Sequence, residues 1–170
     1  MGLKINEKKF EVFLEVARKL NDFFNVIPIL YGSLGLYKII GEYSECSDID
    51  ILIPDEFVNE RWDELIDLIE KMGFKLKDEH EHEFIRGSEI VAFAKQDNLI
   101  KRIELDPNKL IVSNINNIKF KELLIKNYLS VYRLMLRDDY RQKKRKKADQ
   151  EKIDLIEKYI SQNSTNLIKI

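Results

Sequence analysis

The sequence predicts an α+β fold: a small mixed, twisted sheet carrying an acidic site, flanked by helices and followed by a C-terminal helical extension. Three observations predict it. Apolar residues recur at helical spacing through the N-terminal stretch, as Phe10, Phe13, Leu14, Ala17, Leu20 and Phe24. Short apolar runs punctuated by Gly, Asp and Pro fill the middle of the chain, with acids alternating in one of them. Helical spacing then returns around a strongly basic run in the last third.

The composition sets outer bounds. A chain of 170 residues that is 44% hydrophobic can bury a core and is not globally disordered, while 35% charged residues give it a solvated surface. The reading is a core over residues 1–115, with residues 116–170 as a helical extension packed on it. The net charge of −1 gives no overall attraction for nucleic acid, so any such binding has to be local. Cys46 is the one cysteine and cannot form an intrachain disulfide. With no basic-then-apolar leader, that usage fits a cytoplasmic location. No apolar run approaches the ~18 residues that a bilayer span needs, so a membrane is not among the expected partners.

In chain order, Asn6–Phe24 reads as an amphipathic helix with Asn6 as its N-cap. Its aromatic stripe is core packing. Val26–Tyr31 is a short buried strand, broken by Gly32-Ser33, and Leu34–Ile40 makes two turns of helix. After a polar loop, Ser47-Asp48-Ile49-Asp50-Ile51-Leu52-Ile53 reads as a second strand. Side chains alternate along a strand, so Asp48 and Asp50 share one face while Ile49, Ile51 and Ile53 share the other. Carboxylates held that close repel unless a cation lies between them, and hard oxygen ligands suit Mg²⁺ or Mn²⁺.

Asp55 is placed to cap a further helix with Val58, Trp62, Leu65, Ile66, Ile69 and Met72 inside and Gly73 at its end. Trp62 belongs to that stripe, so packing rather than base stacking is its expected role. Strands are expected at Phe74–Lys77, Glu83–Arg86, Glu89–Lys95 and Leu99–Leu105, with Gln96-Asp97-Asn98 as a hairpin turn between the last two. On the last strand Glu104 and Asp106 share a face. His80 and His82 alternate with acids in a wet segment whose spacing is not that of a zinc site. Phe120–Met135 reads as an amphipathic helix and Asp139–Gln162 as another, with Ile153, Ile156 and Ile160 on its apolar side and Ser161–Ile170 as a frayed tail. The basic run 141–147 is a solvated helix surface or, alternatively, a phosphate-facing patch.

A strand, a Gly-Ser, a short helix and then a D-x-D strand, all within Tyr31–Pro54, together resemble the nucleotidyltransferase superfamily with its DNA polymerase β-like fold. The resemblance is strong over Tyr31–Ile53 and looser over about Phe10–Leu136. It implies a metal-dependent transferase moving a nucleoside monophosphate from an NTP, such as ATP, to a hydroxyl acceptor, with release of pyrophosphate. Asp48 and Asp50 would hold two Mg²⁺ (or Mn²⁺) ions, and Gly32, Ser33 and Ser47 would bind the nucleotide, the first two at its β- and γ-phosphates. Some members write the third-carboxylate strand as apolar-Asp-apolar-His-Pro. Ile103-Glu104-Leu105-Asp106-Pro107 fits that frame with Glu in place of Asp, making Glu104 the third metal ligand and Asp106 the alternative. Lys147-Ala148-Asp149 and Ile153-Asp154-Leu155 resemble a C-terminal element of minimal members. The resemblance leaves the acceptor open among a small molecule, a tRNA and a protein, and nothing in the sequence sets the oligomeric state. Two other classes stay open: a catalytically inactive nucleotide-binding regulatory module, and an RNA-binding protein working through the basic run.

Overall fold

The structure, a computed structural model, describes residues 2–41 and 46–168, with the side chains of 2–5, 139–144 and 165–168 outside that description. The chain divides into two compact units: Met1–Lys101 with Leu105–Leu123, and Arg102–Glu104 with Leu124–Ile170. The expected boundary at 115/116 falls inside a hairpin of the larger unit. Among the described residues, no helix is long and apolar enough to cross a membrane.

The larger unit begins with α1 (Gly2–Phe24), whose Phe13, Val16, Ala17 and Leu20 are buried at the spacing the sequence shows. Asn6 is a residue of this helix and not its cap. Its side chain is fully buried, and its Oδ1 accepts from the Cys46 N–H at 3.0 Å. β1 (Ile29–Tyr31) runs straight into α2 (Gly32–Ile40), so Gly32-Ser33 forms the first helical turn instead of a separate break. The polar loop that follows falls largely on 42–45, outside the described residues. β2 is Ile49–Ile53, and the stretch expected as one capped helix is a 3₁₀ turn at Asp55–Val58 followed by α3 (Trp62–Lys71). Asp55 does not cap α3; its Oδ1 accepts from the Asp97 N–H at 3.3 Å.

Strands β3 (Lys75–Asp78), β4 (Glu83–Arg86) and β5 (Glu89–Lys95) follow the sequence reading closely. The next expected strand is absent. Asn98–Ile103 is a short helix, α4, and Gln96-Asp97-Asn98 leads into it instead of turning a hairpin. Gln96 N–H is held by the Ile53 carbonyl at 2.8 Å, and the Asp97 carbonyl accepts from Ile100 and Lys101 at 3.1 and 3.3 Å, which starts a helical turn. Leu99 is buried and Ile103 half-buried, one helical turn apart, while Ile100 is exposed.

Residues 111–122, expected partly as loop and partly as helix, form the hairpin β6 (Ile111–Ile115) and β7 (Ile118–Glu122). Asn116 and Asn117 turn it, both in the left-handed region at φ 50 and 66, which asparagine tolerates better than most residues. Asn21 ties the hairpin to α1: its Oδ1 accepts from Lys119 N–H at 2.8 Å and its Nδ2 donates to Lys119 O at 3.0 Å.

The seven strands form one mixed sheet in the order β3-β4-β5-β2-β1-β7-β6. The β2–β5 and β1–β7 pairs are parallel and the others antiparallel. Ile49, Ile51, Ile53, Val91, Phe93, Phe84 and Phe120 bury one face against residues of α1 and α3. Alternation sends Asp50 and Ala92 to the other face.

The smaller unit is a helical hairpin, α5 (Ile125–Met135) and α6 (Asp139–Ile168). Tyr128, Val131, Tyr132, Ile153 and Ile156 are buried, and Arg133 Nη2 meets Glu157 Oε1 at 2.9 Å. The expected frayed tail is helix through Ile168. Of the basic run, Arg145, Lys146 and Lys147 are exposed; the side chains of 141–144 lie outside the described residues. Asp149, by contrast, is buried, as is the stem of Lys152, whose ammonium lies 5.0 Å from the Tyr132 ring centre.

Candidate active site

β2 is the central strand of the sheet, and three neighbouring positions on its polar face fall in one row: Tyr31 on β1, Asp50 on β2 and Ala92 on β5. Asp48 immediately precedes β2, half-buried like Asp50. Ser47 is exposed, and its hydroxyl donates to Asp48 Oδ1 at 2.9 Å, so its contact is with the acid pair itself.

Gly32 is pressed against Asp50. A Cβ built on it would lie 2.2 Å from Asp50 Oδ2 and 3.0 Å from Cγ, and its φ of +68 is one that L side chains rarely adopt. Both facts explain why this position is glycine: a side chain is excluded by the carboxylate as well as by the backbone. The consequence is electrostatic. The first-turn N–H groups of a helix have no partner within the helix and carry its partial positive charge. β1 delivers that end of α2 directly to the Asp50 carboxylate. The N-cap residue Tyr31 makes no side-chain capping bond. Ser33 follows in the same first turn, half-buried. Gly32, Ser33, Ser47, Asp48 and Asp50 are thus gathered where β1 meets α2 and β2 begins.

The other end of α2 is anchored. Lys38 stands 3.7 Å from the Phe10 ring centre and 3.9 Å from Glu122 Oε1, and burial pushes its ammonium below the ordinary lysine range against the pull of Glu122.

The strand expected to carry the third carboxylate does not form. With α4 in place of a strand, Glu104 and Asp106 share no strand face. Glu104 is exposed at a left-handed φ of 54 and belongs to the smaller unit. Asp106 caps a 3₁₀ turn, its Oδ1 accepting from Asn108 N–H at 2.9 Å. Among the described residues, no three acids, histidines or cysteines converge as a metal-binding group. His80 is exposed beside Glu81, and His82 packs edge-on against Trp62 with ring centres 4.8 Å apart. Burial, then the charge of Lys95, holds the His82 imidazole below its ordinary value. Neither histidine points to metal chemistry.

Sequence reasoning passed over Tyr31 and Ala92 as site positions. β5 was legible as a strand, but only the parallel register with β2 puts Ala92 beside Asp50.

No protein-family model matches the chain. The uncharacterized protein YnaI of Bacillus subtilis is 36% identical over 153 residues, covering 90% of this chain and 98% of its own. The chain belongs to the YnaI family. Solved structures place the fold of this YnaI relative. A nucleotidyltransferase-like protein from Paracoccidioides brasiliensis matches 86% of the chain and 73% of its own length, with 18% identity and a TM-score of 0.56. ANT(2")-Ia in complex with adenylyl-2"-tobramycin matches 92% of the chain and 94% of its own length, with 14% identity and a TM-score of 0.51. This YnaI-family chain shares its fold with these two solved structures.

Proposed function

We propose that the protein is a nucleotidyltransferase that moves a nucleoside monophosphate from an NTP to a hydroxyl acceptor and releases pyrophosphate. One observation carries the reading: on the central strands of a nucleotidyltransferase fold, Asp50 of a D-x-D pair sits against a helix N-terminus that is bare of side chain at Gly32. In this reading Asp48 and Asp50 hold a divalent cation, Mg²⁺ or Mn²⁺, a donor set of hard oxygens that fits such an ion. An ion held by Asp48 and Asp50 would supply charge neutralisation on the phosphates and polarisation of the phosphoryl group. The N–H groups of the first turn of α2 and the Ser33 hydroxyl take the β- and γ-phosphate oxygens, and the bare Gly32 lets them approach the backbone. Ser47 orients Asp48 through its 2.9 Å hydrogen bond. The acceptor hydroxyl gives up its proton to water as its oxygen attacks the α-phosphorus in line, and the bond to the bridging oxygen breaks, so that pyrophosphate departs with that electron pair. ATP is the first donor to try, and the acceptor is a small molecule, a tRNA or a protein side chain.

A second reading, a nucleotide-binding module that does not transfer, is favoured by the lack of a third converging ligand among the described residues. One experiment separates the two. The protein is incubated with Mg²⁺ and each α-labelled NTP in the presence of cell extract, and label transfer and pyrophosphate are followed. Transfer that falls about 10³-fold or more in Asp48→Asn and Asp50→Asn, with the fold kept, supports the enzyme. Nucleotide retention with no transfer supports the module. Transfer undiminished in the double variant ends the nucleotidyltransferase reading.

A further inference from the structure

The sheet register makes a prediction about metal stoichiometry that the expected two-ion set does not share. Neighbouring the acid pair on one side is β5, parallel to β2, with Asp50 opposite Ala92 and Leu52 opposite Ala94. The β5 residues on this face are Ile90, Ala92 and Ala94, because Val91 and Phe93 turn into the core. Neighbouring it on the other side is β1, which sets Tyr31 opposite Asp50 and Ile29 opposite Leu52. Neither flanking strand brings a carboxylate alongside Asp50.

The next acid on the same face is Glu83 of β4, which is paired with Ala92. It stands two strands from Asp50, roughly 10 Å between backbones at the usual strand spacing. A divalent ion with bonds of about 2.0–2.6 Å to its oxygens is not shared by carboxylates rooted that far apart unless both reach fully toward it. Glu83 does not reach that way: its Oε2 is taken by Lys77 Nζ at 3.2 Å on the outer strand β3. Glu89, the acid that opens β5, is turned into the core and held by Lys9 at 3.0 Å.

Resting on the reading of this site as a nucleotide site, we infer that it takes one divalent ion per chain, delivered with the nucleotide, and that Ala92 stands where a second ion would need its ligand. The acceptor side of the site is then a small apolar floor, Ile90–Ala92–Ala94, and not a metal-lined wall.

The test counts Mn²⁺ bound to the full chain by electron paramagnetic resonance, with a non-hydrolysable α,β-methylene ATP present. Three chains are compared: the natural one, Asp50→Asn and Ala92→Asp. The expected result is one Mn²⁺ per natural chain, its affinity reduced at least tenfold in Asp50→Asn, and two per chain in Ala92→Asp, where a carboxylate is added one strand from Asp50. Two ions in the natural chain overturn the inference and leave the nucleotide site standing. A count of one in a folded Ala92→Asp overturns the role given to Ala92. No Mn²⁺ and no analogue retained by the natural chain overturns the inference together with the nucleotide site itself. Should Ala92→Asp fail to fold by circular dichroism, Ile90→Asp, on the same face of β5 as Ala92, takes its place with the same two outcomes.

Discussion

A methyl group at Gly32 is a small change with a large expected effect. Gly32→Ala drives a Cβ into Asp50 Oδ2 and holds an L side chain at φ +68, at a backbone cost of about 1–2 kcal/mol. Nucleotide affinity should fall at least tenfold while far-UV circular dichroism is kept, as read by titration with a fluorescent NTP analogue; an unchanged affinity would put the phosphates elsewhere. Asp106 and Glu104 should separate in the opposite sense from catalytic residues. Asp106→Ala loses the cap on Asn108 and should cost about 0.5–2 kcal/mol in urea unfolding, and single-turnover transfer should stay within twofold for both Asp106→Ala and Glu104→Gln. The acid pair was legible in the sequence because its spacing is local: the strand that was expected over 47–53 forms as Ile49–Ile53, with Asp50 inside it and Asp48 just before it. Gly32 was legible for the same reason, being next to the strand it leaves. Ala92 was not, since its place depends on which strand lies beside which, and no local pattern carries that.

Among elements, β5 is fastened to α1 by the buried pair Lys9–Glu89, 3.0 Å apart with side chains 6% and 11% exposed. Lys9→Met leaves buried Glu89 with only the more distant charge of Arg86 and should cost about 3–5 kcal/mol, most of it recovered in Lys9→Met/Glu89→Leu, in paired urea melts. A second fastening, Arg86 to Glu15 through two bonds of 2.8 Å, joins β4 to α1 nearer the solvent. The hydrogen bond from Arg86, more than its charge, holds the Glu15 carboxyl below its usual value of 4.5. A depressed carboxyl stabilises the fold above its unfolded value and loses that contribution as pH falls through the lower folded one. Melting temperature should therefore drop more steeply for the natural chain than for Glu15→Gln as pH is lowered from about 4.5, the two converging in acid; parallel curves would remove Glu15 from the acid response. The elements that sequence reasoning misassigned share a cause. Leu99–Leu105 carries apolar residues compatible with either period over seven positions, and the ties from Ile53 and Asp55 to Gln96 and Asp97 that start α4 are tertiary. The β6–β7 hairpin did leave a local sign, Asn116-Asn117 between isoleucines, which a helical reading of Phe120–Met135 overran.

On the scale of the molecule, the acidic strand occupies the middle of a seven-strand order, with β3 and β6 at the edges. Amide hydrogen exchange should be slowest in β1, β2 and β5, the three strands farthest from the edges, and measurably faster in β3 and β6; mass spectrometry of protease fragments reads this, and equal protection at the edges would contradict it. The parallel pairing of β1 with β7 joins Ile29 to Lys121, across more than half the chain. That single pairing sets an order of assembly. As the chain is synthesised, β1 and β2 meet early through a short connection, so Asp50 and Gly32 find each other while most of the sheet is still missing. The opposite rim of β1 must wait for β7. Any chain that stops before Ile118 is left with a bare, flat strand edge beside a finished acidic corner, an invitation to pair with a neighbouring copy. The last strand to arrive thus serves as the guard of the first.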